Sequence, residues 1–243
     1  GQPLHAFDYD KIKGGVIMVR RAEKGEKFLG IDGIEYVLDN QTLVIADAAR
    51  AIAIAGVIGG KLTEVTQNTK NILLESAYFD PRLVRQASRF YKISTDSSYR
   101  FERGVDRENV LCASARARDL ILEWAGGVET GAHTAEEKKK KKGVKIELRV
   151  ARLEKILGMP FKSGRVSFIL NSLGLKTKIT SRDKLTVLSS SARRDIACEE
   201  DVIEEVLRIE GFEKIPATFP VTRHTMKKSQ GPKALRLLEL KKF

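Results

Sequence analysis

Between Asn71 and Asp106 the chain reads NILLESAYFDPRLVRQASRFYKISTDSSYRFERGVD, and this segment concentrates side chains able to do chemistry. An apolar run, Ile72-Leu73-Leu74, ends on a carboxylate, Glu75. Beyond a helical pattern lies a loop dense in hydroxyls and charges: Ser94, Thr95, Asp96, Ser97, Ser98, Tyr99, Arg100, Glu102 and Arg103. Apolar strands that run into such loops usually border a pocket. A carboxylate at a strand end is either paired with an arginine, here Arg100 or Arg103, or left to read a ligand group. His5, between Leu4 and Ala6, is open to the same two readings, structural or functional. No Ser-His-Asp or Cys-His arrangement can be read from the spacing.

A second constellation lies on the pattern that starts at Glu199. Asp201, Glu204 and Glu205 stand at i, i+3 and i+4, so their side chains share one helix face, and Asp195 precedes them within reach. Oxygen-only ligands of this kind suit Mg²⁺. The alternative is a solvated acidic face with Glu204 paired to Arg208. A third feature, AGVIGG, holds Gly56, Gly59 and Gly60. No Lys-Ser/Thr follows in Walker fashion and no GxGxxG is present. Close packing, the wall of a ligand pocket and a phosphate site all stay open for it.

The elements that must position these residues are legible in outline. Val16–Val19 and Thr42–Ala46 are strand-like, and Asp32-Gly33 between apolar stretches signals a hairpin. Asp80-Pro81 is an N-cap and first-turn pair for a helix carrying Leu83, Val84, Ala87 and Phe90 or Tyr91. A second helix runs from about Asp106 to Trp124, with Val110, Ala113, Ala117, Ile121 and Trp124 in one stripe, and stops at Gly126-Gly127. After a polar, lysine-rich stretch, residues 134–143, the pattern gives a helix ending at Gly158 and one capped by Ser163. Two strand-like stretches, 175–180 and 184–189, and a helix over 199–209 follow. The reading is α+β: a first domain over 1–133 with a mixed β-sheet and helices, a linker over 134–143, a small winged-helix-like module over 144–220 and a basic tail over 221–243.

Composition narrows the function classes. The 243 residues, 42% hydrophobic and 31% charged, describe a globular protein able to bury a core. No apolar run nears the roughly 18–20 residues needed to span a bilayer, and no signal peptide is evident. Cys112 and Cys198 lack CxxC spacing, which fits a reduced cytoplasm and argues against zinc. The net charge of +12 sits largely in Lys138–Lys142 and the tail from Arg223, and the rest of the chain is near neutral. Such runs attract phosphate backbones but are more often solvated loops.

Taken in order, GQPLHAFD, IAGVIGG, NILLESAYFDP, TDSSYRFERGVD and RRDIACEEDVIEEVLRIEGFEKIP resemble the β subunit of bacterial phenylalanyl-tRNA synthetase. The resemblance covers the chain up to Pro220 and identifies it as an internal portion of that subunit, holding the editing domain and the module after it. It implies a cytoplasmic heterotetramer of two α and two β subunits that uses ATP and Mg²⁺ to charge the phenylalanine tRNA. The synthetic site would lie on α. The portion here would hydrolyse tyrosine mischarged on that tRNA, or, as the alternative, serve as a non-catalytic scaffold for the α subunit and tRNA. The resemblance assigns His5, Glu75 and Thr95 to the editing chemistry, with Glu75 reading the tyrosine hydroxyl. It sets Gly56 and Gly59 beside the amino-acid ring, and Thr95 and Ser97 in the pocket wall. Ser97 falls where bacterial members commonly carry alanine. Asp195, Asp201, Glu204 and Glu205 fall at positions that bind a Mg²⁺ shared with α.

Overall fold

The computed structural model describes residues 1–135 and 143–217. The lysine run at 138–142 and the basic tail at 221–243 lie outside the described residues, as does the end of the second module from 218. Buried apolar side chains gather in two clusters, one drawn from Phe7 to Val105 and the other from Ile146 to Leu207. No helix among the described residues is long and apolar enough to cross a membrane.

The first cluster is built on short strands: β1 (Leu4–Asp8), β2 (Met18–Arg21), β3 (Lys27–Leu29), β4 (Glu35–Val37), β5 (Leu43–Ala46), β6 (Ala51–Ile54), β7 (Ile58–Gly59) and β8 (Ile72–Ser76). β2, β5, β6 and β7 form one sheet in that order, β3 and β4 form a hairpin, and β1 pairs with β8. Every strand pairing is antiparallel, so the expected mixed sheet resolves into antiparallel ladders within an α+β chain. β5 and β6 are apolar almost throughout because both faces are covered: three of four residues in β5 and all four in β6 are buried. The hairpin turns where Asp32-Gly33 predicts it, with Gly33 at φ 83°. Glu26 braces its base by pairing with Arg20 at 2.7 Å and accepting from Ala51 N at 3.0 Å.

Helix α1 (Pro81–Tyr91) starts as the sequence indicates, with the Asp80 carboxylate accepting from Arg82 N at 2.8 Å. Its Val84 and Ala87 enter the core. At its far end the Tyr91 hydroxyl accepts from Asp39 N at 2.9 Å and hydrogen-bonds Thr42 at 2.6 Å, which ties the helix to the approach to β5. α2 (Asp96–Phe101) packs on α1. α3 (Val110–Ala125) lies across β8 and ends at Gly126. Its predicted apolar stripe is not a buried one. No α3 residue is buried and Trp124 is 77% exposed, since only a two-stranded ladder backs the helix.

The second cluster joins β9 (Lys145–Arg149), α4 (Val150–Leu157), α5 (Ser163–Ser172), β10 (Lys176–Ser181), β11 (Lys184–Leu188) and α6 (Glu199–Glu210). The sheet has three strands in the order β10-β11-β9, where two strands were expected. The additional strand alternates cleanly, with Ile146 and Leu148 inward between exposed Lys145, Glu147 and Arg149. The residue at the N-cap of α5 is Lys162 rather than Ser163, and its side chain makes no cap hydrogen bond. The two parts touch where Arg194 Nη1 donates to Val105 O at 3.3 Å and Ser191 Oγ donates to Glu108 at 3.2 Å.

Candidate functional site

The β1–β8 ladder sets His5 directly opposite Glu75. Directly opposed residues in an antiparallel pair project to the same face. The next pair on that face is Phe7 and Leu73, with Phe7 only 1% exposed, and the rings of His5 and Phe7 meet edge to face at 4.4 Å. The other face carries Ile72, Leu74 and Ser76, and Ser76 Oγ donates to Val110 O of α3 at 2.8 Å. The imidazole and the carboxylate therefore turn away from α3, toward the glycine segment.

Neither group has a partner. His5 Nε2 is buried without a hydrogen bond. Glu75 makes no hydrogen bond or ion pair among the described residues. The two arginines that could have paired with it do not: Arg103 pairs with Glu102 and stacks on the Tyr99 ring at 3.5 Å, and Arg100 is exposed. Burial pushes the Glu75 carboxyl up to about 7, and burial lowers the His5 imidazole from its ordinary value. Burial thus favours the protonated carboxyl and the neutral imidazole at this site. A buried polar atom without a partner, as His5 Nε2 is, is uncommon in proteins and costs stability unless something later satisfies it. The half-buried Glu75 carboxyl beside it is likewise without a protein partner among the described residues.

Gly59 forms the wall beside them. A Cβ at Gly59 would fall 2.7 Å from His5 Nε2, so only glycine admits the imidazole this closely. Gly56 does a different job. It has φ 71°, and a Cβ there would lie 2.9 Å from the Phe79 ring and 3.0 Å from Val84. It therefore packs against the core and lets the chain turn, while Gly59 faces the site.

Thr95 and Ser97 fix that turn from the α2 side. Thr95 Oγ1 donates to Val57 O at 2.6 Å while accepting from Ser98 N at 3.0 Å. Ser98 Oγ in turn accepts from Thr95 N at 2.9 Å, completing a reciprocal cap. Ser97 Oγ donates to Gly56 O at 3.2 Å. The hydroxyl proton of Thr95 is thus committed to backbone, and its evident function is to hold residues 56–59 in place. The sequence reading puts Ser98 in a polar loop, but residues 96–101 form helix α2, for which the Thr-x-x-Ser spacing is a readable cap signal.

The four acidic residues assigned to Mg²⁺ do not converge. Arg193 Nη2 lies 2.7 Å from Asp195 and 2.9 Å from Glu205, and Arg208 also reaches Glu205 at 2.9 Å. Asp201 turns back to accept from Ala197 N at 2.8 Å and Cys198 N at 2.9 Å. Glu204 is exposed, and Arg208 pairs with Glu205 rather than with Glu204 as the spacing suggested. The Arg193 guanidinium holds the Asp195 carboxyl below its ordinary range, Arg208 does the same for Glu205, and the Ala197 amide does so for Asp201. No group of three or more His, Cys, Asp or Glu among the described residues could hold a metal ion. As arranged, the residues present do not fit Mg²⁺, because Asp195 and Glu205 are taken up by Arg193 and Asp201 by backbone amides. Arg193 escaped the sequence reading, although RRD immediately ahead of an acidic helix was the available signal.

The fold and site define an α+β domain with an unsatisfied acid–imidazole pair facing a glycine turn, followed by a small helix-and-strand module. Residues 1–126 match the B3/4 domain model and residues 146–212 the tRNA synthetase B5 domain model, and the chain belongs to the B3/4 domain family. The phenylalanine–tRNA ligase beta subunit of Protochlamydia amoebophila is 44% identical over 216 residues, covering 89% of this chain and 27% of that protein. The beta subunit of Moorella thermoacetica is 44% identical over 220 residues, covering 90% and 27%. The chain thus spans about a quarter of the length of the curated relatives it matches. A solved N-terminal fragment of the phenylalanyl-tRNA synthetase beta subunit from Pyrococcus horikoshii aligns at 19% identity and TM-score 0.44, over 84% of this chain and 58% of that one. That likeness is too distant to bear on function.

Two outcomes are expected. Between pH 4.5, the ordinary Glu value, and about 7 the folded chain keeps the Glu75 proton that the unfolded chain releases. Its contribution to stability is therefore full below pH 4.5 and falls as pH rises through 7, by on the order of 2–3 kcal/mol. Glu75→Gln should match the parent near pH 4 and exceed it at pH 8 in chemical denaturation. Equal stability differences at both pH values would contradict the desolvated carboxyl. Thermal unfolding of the parent should be the same in chelator and in millimolar Mg²⁺, whereas a saturable rise with Mg²⁺ would show that the carboxylates release Arg193 to bind the ion.

Proposed function

We propose that this chain is the portion of a phenylalanine–tRNA ligase beta subunit that hydrolyses tyrosine mischarged on the phenylalanine tRNA. The observation that carries the reading is the unpartnered Glu75 opposite the unpartnered His5 in a B3/4 domain whose relatives bear that enzyme's name. The synthetic reaction, its ATP and the α subunit partner belong to the rest of that assembly on this reading, and the chain works in the cytoplasm.

The chemistry follows from what one hydroxyl can distinguish. A synthetic pocket shaped around an apolar ring rejects an added hydroxyl only modestly. A second pocket with a waiting acceptor selects for it. Glu75 accepts from the tyrosine phenol, which gives the desolvated carboxyl the partner it lacks. Phenylalanine leaves it unsatisfied, at a cost of about 1–3 kcal/mol. The aminoacyl ester is already activated, so an oriented water suffices and no covalent intermediate is needed. The neutral His5 nitrogen beside Gly59 supplies the basic atom that orients this water or the ester. Thr95 and Ser97 act as positioning residues by holding the turn that carries Gly59. No step is assigned to Mg²⁺.

A scaffold role for the same chain has one observation in its favour: α3 and the residues after it leave Leu111, Trp124 and Val128 exposed, at 58%, 77% and 86%. A scaffold with a vestigial pocket gives no chemical-shift changes around Glu75 on titration with millimolar tyrosine.

In the intact ligase, Glu75→Ala should slow deacylation of tyrosine from the phenylalanine tRNA by roughly 5- to 100-fold, the range set by one desolvated hydrogen bond. Gly59→Ala should act in the same direction by displacing His5. Aminoacylation with phenylalanine should stay at the parent level in both. Unchanged Tyr-tRNA hydrolysis by Glu75→Ala would remove the role given to that residue.

A further inference from the structure

We propose that the outer face of α1 is a docking strip for an RNA phosphate backbone, formed by Arg82, Arg85 and Arg89 and extended by Lys92 at the C-cap. At 100° per residue the three arginines fall within an arc of about 60°, turned away from the buried Val84 and Ala87. All four cations are exposed, and none makes a side-chain hydrogen bond or ion pair among the described residues. Several other arginines have carboxylate partners, Arg20 with Glu26, Arg149 with Glu199, Arg165 with Glu210 and Arg193 with Asp195. What marks Arg82, Arg85 and Arg89 is that three guanidiniums, unpaired among the described residues, share one helix face.

The strip is unfavourable for the free protein, and this separates it from an ordinary solvated face. Arg82 lies in the first turn, at the positive end of the helix dipole, and no acidic residue occupies that turn. The nearest carboxylate, Asp80, is committed to the N-cap. Arg85 and Arg89 stand at i and i+4, and Arg82 and Arg85 at i and i+3, spacings at which like charges repel. A polyanion along the helix relieves each of these terms. From Arg82 to Lys92 the strip extends about 15 Å, enough to follow a backbone across several phosphates. The choice of arginine favours phosphate over carboxylate surfaces, because the guanidinium fork binds phosphate oxygens two at a time. Phe90, 64% exposed on the same helix, offers a stacking surface for an unpaired base.

The strip also has a route to the candidate site. α1 packs on α2, and α2 holds the 56–59 turn through Thr95 and Ser97. RNA seated on α1 lies one helix away from His5 and Glu75. The identity of the RNA rests on the reading given under Proposed function, while the strip itself does not.

The test is binding of an unacylated phenylalanine tRNA transcript to the intact protein, measured by fluorescence anisotropy across a KCl series. R82Q/R85Q/R89Q should flatten the plot of log Kd against log salt by about 2 to 3, one unit or slightly less per lost phosphate contact. Its thermal stability should be unchanged or higher, since the mutual repulsion is gone. R82K/R85K/R89K keeps the charges and should keep the slope, so a folding defect in the first variant would not mask the result. K145Q/K176Q/K178Q, which removes three charges from the sheet of the second module, should leave the slope at the parent value. A parent-like slope in R82Q/R85Q/R89Q would overturn the proposal, as would an equal loss in the sheet variant, which would mean that only net charge matters. The transcript carries no ester, so neither failure touches the hydrolytic role of Glu75, and loss of that role would leave the salt slopes intact.

Discussion

The register of β1 against β8 is the constraint on which the candidate site depends. Side chains alternate between the faces of a strand, so a slip of β8 by one residue would turn Glu75 toward α3, away from His5, and carry Ile72, Leu74 and Ser76 to the glycine turn. The register is held from both sides. Phe7 enters the core on the site face, and Ser76 is tied to the start of α3 on the other. Two strands alone are marginal in water, and this pair persists because one face joins the first core and the other is covered by α3. The site is thus an outcome of packing: the same contacts that fix the ladder leave a buried imidazole nitrogen and a half-buried carboxyl side by side, without partners among the described residues.

Its second support is the cap of α2. A Thr-x-x-Ser cap ordinarily satisfies only its own helix end. Here the same threonine also donates to Val57 O, and the next hydroxyl, that of Ser97, donates to Gly56 O. Helix initiation and site geometry are therefore one hydrogen-bond network. Through this network Thr95 fixes the 56–59 turn, and the hydroxyl of Ser97 has a backbone acceptor within reach. In the second module an arginine takes the part expected of a metal. Arg193 gathers Asp195 and Glu205, so these two carboxylates are charge-balanced within the chain.

Much of this could be read from the chain, for stated physical reasons. Asp80-Pro81, the Asp32-Gly33 turn and the glycine stops rest on local backbone chemistry, which acts the same way in any context. Glu75 at the end of an apolar run was visible as a position where a carboxylate needs an explanation. What the residues could not settle was whether an arginine answered it, because pairing across long sequence separations depends on the fold. The pairing choices for Arg103 and Arg208 were settled by the fold in this way. β9 alternates as strands do but is only five residues long and falls just after the lysine-rich linker, where the legible pattern begins with the helix at Val150. The α3 stripe has the correct period yet stays half-exposed, since periodicity reports which face is apolar and not whether anything covers it.

On the proposed reading, Glu75 is a desolvated carboxyl kept for a hydroxyl-bearing ligand. The most direct measurement is a site-resolved carboxyl-carbon NMR titration of Glu75, alone and with tyrosine or phenylalanine added. The account predicts a midpoint near 7 in the free protein. Tyrosine should lower it, because a hydrogen bond from the phenol favours the ionised form, and phenylalanine should not. A midpoint at the ordinary value of 4.5, or the same response to both amino acids, would contradict it.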